Sequence, residues 1–495
     1  MVTIQLKRTD FEYDIHSLIR AFYPQEEIKF LEEMPQDGEE ISFHVVIHYL
    51  ENKIEFEHYI WDASRFRESE LPDLLKVMTV DWNDRKETKN ALKKSLYQIL
   101  SCQTKKLLPW GTLTGIRPTK IPMDLLEKGR TPVQIKEQMM DQYLISEEKA
   151  DLCIEVAVTE LEILSKLDYQ NGYSLYIGIP FCPSTCLYCS FTSYPLAKWR
   201  SRVDEYLDAL EKEILFTAET CKNRTLQTVY IGGGTPTSLE PAQLRRLIEL
   251  LKSSFDLSQC VELTVEAGRP DSITREKLAT LKELGITRIS INPQTMKEET
   301  LKLIGRHHSV KDTIDSFQLA RELGFDDINM DLIIGLPNES LEDVKSTLKH
   351  ISDMAPDNLT VHSLAIKRAA RLKMFPEDYK ELSIENTDET IELTAKAAKE
   401  IGLRPYYLYR QKNMAGNFEN VGYARPGQEG IYNILIMEEK QTILALGAGA
   451  ASKFVMGNGR KAQRVENVKD IDHYLTRVDE MIEKKRSKME ELEWL

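Results

Sequence analysis

No run of about 18 apolar residues occurs in the chain, and its opening, MVTIQLKRTDFEY, has no apolar h-region. Neither a membrane span nor a signal peptide is therefore expected. An excess of positive charge is missing too. The 65 Lys and Arg stand against 79 Asp and Glu, and the net charge of -14 argues against broad electrostatic binding to nucleic acid or anionic lipid. Cysteine is sparse and odd in number, seven in 495 residues, which suits a reducing, cytoplasmic compartment better than a disulfide framework. Four of the seven, Cys102, Cys153, Cys221 and Cys260, are scattered through apparently helical or strand-edge contexts. A chain of this length exceeds one hydrophobic core and suggests two or three domains.

The other three cysteines are concentrated. Cys182, Cys186 and Cys189 are spaced CxxxCxxC in SLYIGIPFCPSTCLYCSFTSY, residues 174 to 194, directly after an apolar, strand-like run. Thiolate sulfur is the soft ligand that iron-sulfur clusters prefer, and three thiolates on one short loop can converge on a cubane while leaving one iron open. A structural zinc site would ask for a fourth Cys or His at matching spacing, and none stands nearby. Zinc or chance spacing is the bland alternative.

Around this loop the chain changes rhythm. Residues 1 to about 165 read as a separate α+β module, with helices at 13–23 and 83–104 and a β-hairpin over 41–62 that turns at Glu51-Asn52. LPWGTLTGIRPTKIP (108–122) is expected to be irregular because of its glycines and prolines, with Trp110, Arg117 and Lys120 clustered. Helices near 131–141 and 146–167 follow. From 174, six apolar strands are expected at 174–179, 228–232, 261–267, 288–293, 328–334 and 358–364. Amphipathic helices fill the gaps at 198–219, 240–254, 274–284, 311–323 and 340–352. Strand-helix alternation predicts parallel strands with right-handed crossovers, hence an α/β partial (β/α)6 barrel over 166–375 whose chemistry gathers at the C-terminal strand ends. An acidic linker-like stretch at 374–389 and a helix at 386–401 lead into a C-terminal α+β domain, 376–495.

The notable residues fall at those strand ends. Strand 2 ends in Gly232-Gly233-Gly234-Thr235-Pro236, where missing side chains admit a ligand to the backbone. Strand 3 ends in VEAGRP with Glu266, strand 4 gives RISINPQTM with Gln294, and Arg306 follows in IGRHH. Strand 5, NMDLIIGLP, carries Asp331, which is costly to bury without purpose. Strand 6, TVHSLAIKR, carries His362, more often a satisfied edge or core residue than a catalyst, and Ala365.

This ordered set resembles the radical SAM superfamily, and YIGIPFCPSTCLYCSF resembles one family within it, the oxygen-independent coproporphyrinogen III dehydrogenases, or HemN-like proteins. NVGYARPGQEGIYN and ALGAGAAS (445–452) are similar to that family's C-terminal domain, so the resemblance covers about 174–495. Gly178 in YIGIPFC, the GIRPTK element and the long N-terminal region are similar to the HemZ branch. Two departures stand out: Gly178 removes a ring that the family often has near the cofactor, and Phe191 stands where some dehydrogenases have a further Cys. The residues after Glu266, Ala267-Gly268-Arg269, also differ from the usual ones.

The resemblance implies a [4Fe-4S] cluster on Cys182, Cys186 and Cys189, and S-adenosylmethionine on its open iron. The cofactor-binding residues it implies are Tyr176, Tyr188, Gly233, Gly234, Thr235, Glu266, Gln294, Arg306, Asp331, Ala365 and Ala451, with no catalytic side chain beyond the cofactor. It further implies coproporphyrinogen III as substrate, two propionates becoming vinyl groups, and an electron donor such as flavodoxin or ferredoxin. A haem-carrying protein that keeps the cluster, or another radical SAM reaction on a tetrapyrrole, are the alternatives. Tyr406, Tyr407, Tyr409, Tyr423 and Tyr432 could be sheet packing or could wall a flat macrocycle. Arg117 and Lys120, beside Trp110, are expected to meet its propionates, with Arg368, Arg410 and Arg425 next in line.

Overall fold

The computed structural model describes residues 1–35, 41–62, 65–68, 73–115, 117–365, 370, 374, 382–411, 418–457 and 461–494. They form two compact units, Met1–Glu155 and Val156–Leu495. No helix among the described residues is long and apolar enough to cross a membrane.

The first unit holds a mixed sheet of β1 (Val2–Leu6), β2 (Ile28–Leu31), β3 (Phe43–Tyr49), β4 (Lys53–Asp62), β5 (Arg65–Glu68) and β6 (Val77–Thr79). Its order is β2-β1-β3-β4-β5, with β6 also on β4. The expected hairpin is β3-β4, antiparallel with Tyr49 opposite Ile54. Helices Glu12–Phe22 and Arg85–Thr104 bury Ile15, Ile19, Leu92, Leu96 and Leu100 in one core with Ile4, Val45 and Ile54 of the sheet. The segment 108–122 is not wholly irregular, because helix Lys120–Glu127 starts inside it. Pro122 lies in the first turn, where a backbone N–H would lack a partner in any case.

The second unit is built on one sheet of eleven strands. Six are parallel and lie side by side in reverse sequence order: β14 (Asn358–Ser363), β13 (Ile328–Ile334), β12 (Arg288–Ile291), β11 (Glu262–Gly268), β10 (Leu226–Gly233) and β7 (Tyr173–Ile179). Helices Val203–Cys221, Pro241–Ser254, Arg275–Glu283, Val310–Glu322 and Leu341–Met354 connect them. This is the expected partial barrel.

Strand alternation explains its polarity. Leu175, Ile177, Val229, Val265, Ile289, Met330, Leu332 and Leu359 are all buried. The alternate positions, Tyr176, Tyr230, Glu266 and Asp331, turn polar groups toward one another.

The residues expected as a third domain extend the same sheet. β15 (Arg404–Tyr409) and β16 (Asn420–Ala424) continue it antiparallel beyond β14. On the other edge β17 (Thr442–Leu446) runs parallel to β7, followed by the antiparallel β18 (Ala451–Met456) and β19 (Lys461–Glu466). Residues 375–381 of the acidic stretch lie outside the described residues.

A buried charge fastens this extension to the barrel. The Glu213 carboxylate accepts from Lys485 Nζ at 2.6 Å, Tyr474 OH at 2.5 Å, Asn467 Nδ2 at 2.9 Å and Gly447 N at 2.8 Å. Beside it Tyr206 OH donates to Gly178 O at 2.7 Å and accepts from Ala448 N at 3.0 Å. Removing one partner of a buried pair strands the other charge. Lys485→Met is therefore expected to lower the stability of the second unit by about 3 to 5 kcal/mol, read from urea unfolding followed by tryptophan fluorescence. An unchanged midpoint would show that the remaining donors suffice.

Candidate functional site

The cysteine loop leaves β7 at its C-terminal end. β8 (Phe181–Cys182) and β9 (Tyr194–Pro195) form a small parallel pair that closes the loop's base. Leu187 packs with Ile304, Ile333, Leu336 and Leu364, and its N–H donates to Ile304 O at 3.0 Å. Ser184 Oγ donates to Gly305 O at 2.7 Å. The loop is thus held from within the barrel before any ligand arrives.

Its three thiols are within electrostatic reach of one another. Burial pushes Cys182 up to about 12, with Cys189 and Cys186 adding and a hydrogen bond from Thr235 Oγ1 at 3.4 Å opposing. Cys189 is raised by burial as well, helped by Cys186. Among the described residues no three His, Cys, Asp or Glu side chains form a tight single-ion group.

The glycine turn lies against this loop. Gly234 N and Thr235 N donate to Ile179 O and Phe181 O at 2.8 and 2.7 Å, and a Cβ at Gly234 would meet Phe181 O at 2.7 Å. Gly233 has φ +107, which a side chain would strain. Register places Tyr176 beside Tyr230 and Gly178 beside Gly232. Tyr176, Tyr230 and Tyr432 stack, the last two with centroids 4.5 Å apart.

Glu266 accepts from Tyr230 OH at 2.5 Å. Burial lifts its carboxyl to about 7, with Asp331 adding and the Tyr230 bond opposing. For Asp331, burial works upward but is outweighed by His362 and Asn329, and the carboxyl is lowered overall. Asn329 Nδ2 donates to it at 2.7 Å and His362 Nε2 lies 3.9 Å away. His362 Nδ1 is also 3.3 Å from Tyr409 OH, so this histidine joins the interior polar network.

Gln294 has φ +69 and bridges to β13, its N–H donating to Asp331 O and its carbonyl accepting from Ile333 N, both at 2.9 Å. Arg306 is buried, donates to Asn292 O, and lies within electrostatic reach of Tyr188 and Cys186. Buried polar atoms without a partner here include Gln294 Oε1, Asn292 Oδ1 and Arg306 Nε, with Ser290 Oγ and both His308 ring nitrogens nearby in the chain. Such atoms cost stability unless something polar meets them. A glycine cradle, three soft ligands and these orphan groups suit a cluster with a zwitterionic ligand on it.

The fold brings together Tyr176, Tyr188, Gly233, Gly234, Thr235, Glu266, Gln294, Arg306 and Asp331 with the cysteine loop. Ala365 is half-buried just past β14. Ala451 is an exposed first residue of β18, opposite Glu466. Its neighbour Ala450 has its Cβ 3.8 Å from where one on Gly178 would stand.

Several expectations need correction. Trp110 is 1% exposed and offers no aromatic face to a ligand. The five tyrosines stood open between sheet packing and a macrocycle wall, and burial of Tyr406, Tyr407, Tyr423 and Tyr432 favours packing, leaving Tyr409 half-buried. Arg425 is committed to Ile401 O and Asp357, Arg410 is buried, and Arg368 lies outside the described residues. Sequence reading assigned nothing to Arg269, whose guanidinium reaches the cysteine loop. No spacing rule could have marked it, because the contact spans 85 residues.

The pH dependence of Glu266 has a definite sign. Its folded value lies above the ordinary 4.5, so folding takes up protons between 4.5 and about 7. Stability from this group therefore falls as pH rises through that window. Glu266→Gln should flatten that part of the urea-midpoint profile relative to wild type. Parallel profiles would mean that the carboxyl is ionised throughout.

A family profile described as the Radical SAM superfamily matches residues 176–351. The chain is 43% identical over 411 residues to the oxygen-independent coproporphyrinogen-III oxidase-like protein HemZ of Bacillus subtilis, covering 82% of each. It is 34% identical over 320 residues to the heme chaperone HemW of the same organism, covering 62% of this chain and 76% of that one. Among solved structures it is similar to coproporphyrinogen III oxidase (HemN) from Escherichia coli, described as a radical SAM enzyme. That match has a TM-score of 0.51 and 26% identity, over 65% of this chain and 73% of that one.

Proposed function

Because the chain belongs to the radical SAM superfamily, in the family that includes HemZ and HemW, we propose that it is a coproporphyrinogen III dehydrogenase. In this reading it converts two propionates to vinyl groups and yields protoporphyrinogen IX. Its cofactors are a [4Fe-4S] cluster and S-adenosylmethionine. When bound, they supply a 5'-deoxyadenosyl radical that takes a hydrogen atom from the β-carbon of a propionate.

The chain's own residues bind and orient. Cys182, Cys186 and Cys189 ligate the iron. Gly233, Gly234 and Thr235 pass the ligand close to backbone, and Arg306 with Gln294 faces its carboxylate and amino ends. Tyr176, Tyr188, Glu266, Asp331, Ala365 and Ala451 complete the proposed cofactor contacts. The observation that carries this reading is the set of unpartnered buried atoms, Arg306 Nε, Gln294 Oε1 and Asn292 Oδ1, beside the cysteine loop. Loss of carbon dioxide needs no general base but leaves one electron, which a one-electron acceptor takes, so the chain's remaining task is to hold a propionate near the radical carbon and keep water away. A one-electron donor such as flavodoxin or ferredoxin, and a cytoplasmic setting, belong to the same proposal.

One observation favours a second reading, a haem carrier that keeps the cluster. Phe191, 70% exposed, occupies the place where some dehydrogenases have another Cys, and the chain is similar to HemW. Anaerobic incubation with dithionite, S-adenosylmethionine and coproporphyrinogen III separates the two. Vinyl products at two S-adenosylmethionine consumed per protoporphyrinogen IX are expected, and none from Cys186→Ala. Tight haem binding without turnover would favour the carrier, and methylated tetrapyrrole products a different radical reaction.

Arg306→Lys keeps the charge but loses the planar fork that matches a carboxylate. S-adenosylmethionine binding should weaken by about 1.5 to 3 kcal/mol, the worth of one hydrogen bond to a charged group, with the iron content unchanged. Calorimetric titration showing the wild-type Kd would remove Arg306 from the cofactor contacts.

A further inference from the structure

Arg269 sits just past β11 and is 3% exposed, although nothing in the proposed chemistry uses it. Its guanidinium is fixed on one side by Asp271, with Nε donating to Oδ1 at 2.9 Å and Nη2 to Oδ2 at 2.5 Å. On the other side Nη1 meets the cysteine loop, donating to Ser184 O at 3.0 Å, Ser184 Oγ at 2.8 Å and Cys186 Sγ at 3.8 Å. Every nitrogen is therefore engaged within the protein. Arg306 also approaches Cys186 but keeps Nε without a partner, so the two arginines differ in kind. A planar fork held by two carboxylate oxygens leaves its third nitrogen a fixed direction, which an ammonium could not reproduce.

We propose that Arg269 is a positioning residue for the iron-sulfur cluster: it orders the loop around Ser184 and donates an N–H···S bond to Cys186 that raises the cluster's reduction potential. This rests on the reading that Cys182, Cys186 and Cys189 hold a [4Fe-4S] cluster. Reduction adds one electron and makes the cluster and its thiolates more negative. A cationic donor on a ligand sulfur stabilises that state more than the oxidised one, and hydrogen bonds to sulfur are among the terms that set such potentials. Asp271 offsets part of the charge, so the directed hydrogen bond is the larger part of the effect. The Ala267-Gly268-Arg269 sequence after Glu266 is thereby given a purpose.

The test is an EPR-monitored redox titration of reconstituted wild-type, Arg269→Gln and Arg269→Lys proteins, with alkylation of Cys186 by iodoacetamide followed in the metal-free forms. Arg269→Gln is expected to shift the oxidised-to-reduced equilibrium about tenfold toward oxidised, 59 mV for one electron. Its Cys186, 8% exposed in the ordered loop, should also alkylate severalfold faster, the gain in access outweighing the loss of the cationic donor, and Arg269→Lys should recover part of the potential. Wild-type potential and wild-type alkylation in Arg269→Gln together overturn the proposal. If Arg269→Gln holds no iron, faster alkylation at an unchanged urea midpoint supports the positioning role. A lowered midpoint with unchanged alkylation overturns it, making Arg269 a residue of the fold. A wild-type protein that assembles no four-iron cluster would instead refute the cofactor reading, and this proposal with it.

Discussion

Six parallel strands that send apolar side chains outward to helices and polar ones inward to each other are the constraint on which the site depends. Helices cover the outer face, so each strand's Leu, Ile and Val must point there. The inner positions are then free to be Ser174, Tyr176, Thr228, Tyr230, Glu266 and Asp331. An interior of this kind is stable only where its groups pair. Most do: Thr228 with Ser174 at 2.7 Å, Tyr230 with Glu266, Asn329 with Asp331, and Thr360 with Asn329 at 3.0 Å. Pairing is incomplete at Ser290, Asn292 and Gln294, on β12 and just beyond it, at Arg306 after the next helix, and at Asn358 and Asn420 farther along the sheet. Each unpaired buried group costs about 1 to 3 kcal/mol, so those at Asn292, Gln294 and Arg306 leave a standing cost that a polar ligand there would relieve.

The barrel was legible because its signals are local. Five of the six barrel strands are short apolar runs closed by glycine or proline, and three of the connecting helices carry a side-chain cap, from Thr274, Ser309 and Ser340, the last accepting from Asp343 N at 3.3 Å. Runs such as NMDLIIGLP and RISINPQTM therefore announced both element and strand end. The C-terminal strands were harder to read, since β17 is defined by lying parallel to β7, some 270 residues earlier, as in the pairing of Leu444 with Leu175. Local composition also misled. Trp110 beside Arg117 and Lys120 looked like a ligand face, yet the indole is buried, because a large ring among glycines and prolines gains more by leaving water. The tyrosines of β15 and β16, which composition left open between packing and a ligand wall, pack, with Tyr407 so close to Gly422 that a Cβ there would lie 1.8 Å from its ring.

The positions that carry the site divide along the same line. Cys182, Cys186 and Cys189 and the triple glycine declare themselves by spacing, because neighbours on one loop must converge. Glu266, Gln294, Arg306 and Asp331 stand far apart in sequence and were marked by their resemblance to a family's order of motifs, with Asp331 marked also by the cost of burying it. Arg269 had neither signal. Its partners are Asp271, two residues on, and Ser184 and Cys186, more than eighty residues back.

Two guanidiniums thus converge on one cysteine loop from different supports, Arg269 after the third barrel strand and Arg306 after the fourth. An acidic chain that gathers anionic sulfur in its interior must place cations locally, since its long-range field opposes the charge. Placing two cations there raises the question of how they avoid duplicating each other. Their hydrogen bonds answer it: Arg269 is saturated by Asp271 and Ser184 and cannot turn to an incoming ligand, whereas Arg306 keeps its Nε without a partner. Saturation fixes one charge to the loop, and incompleteness leaves the other to whatever the loop binds.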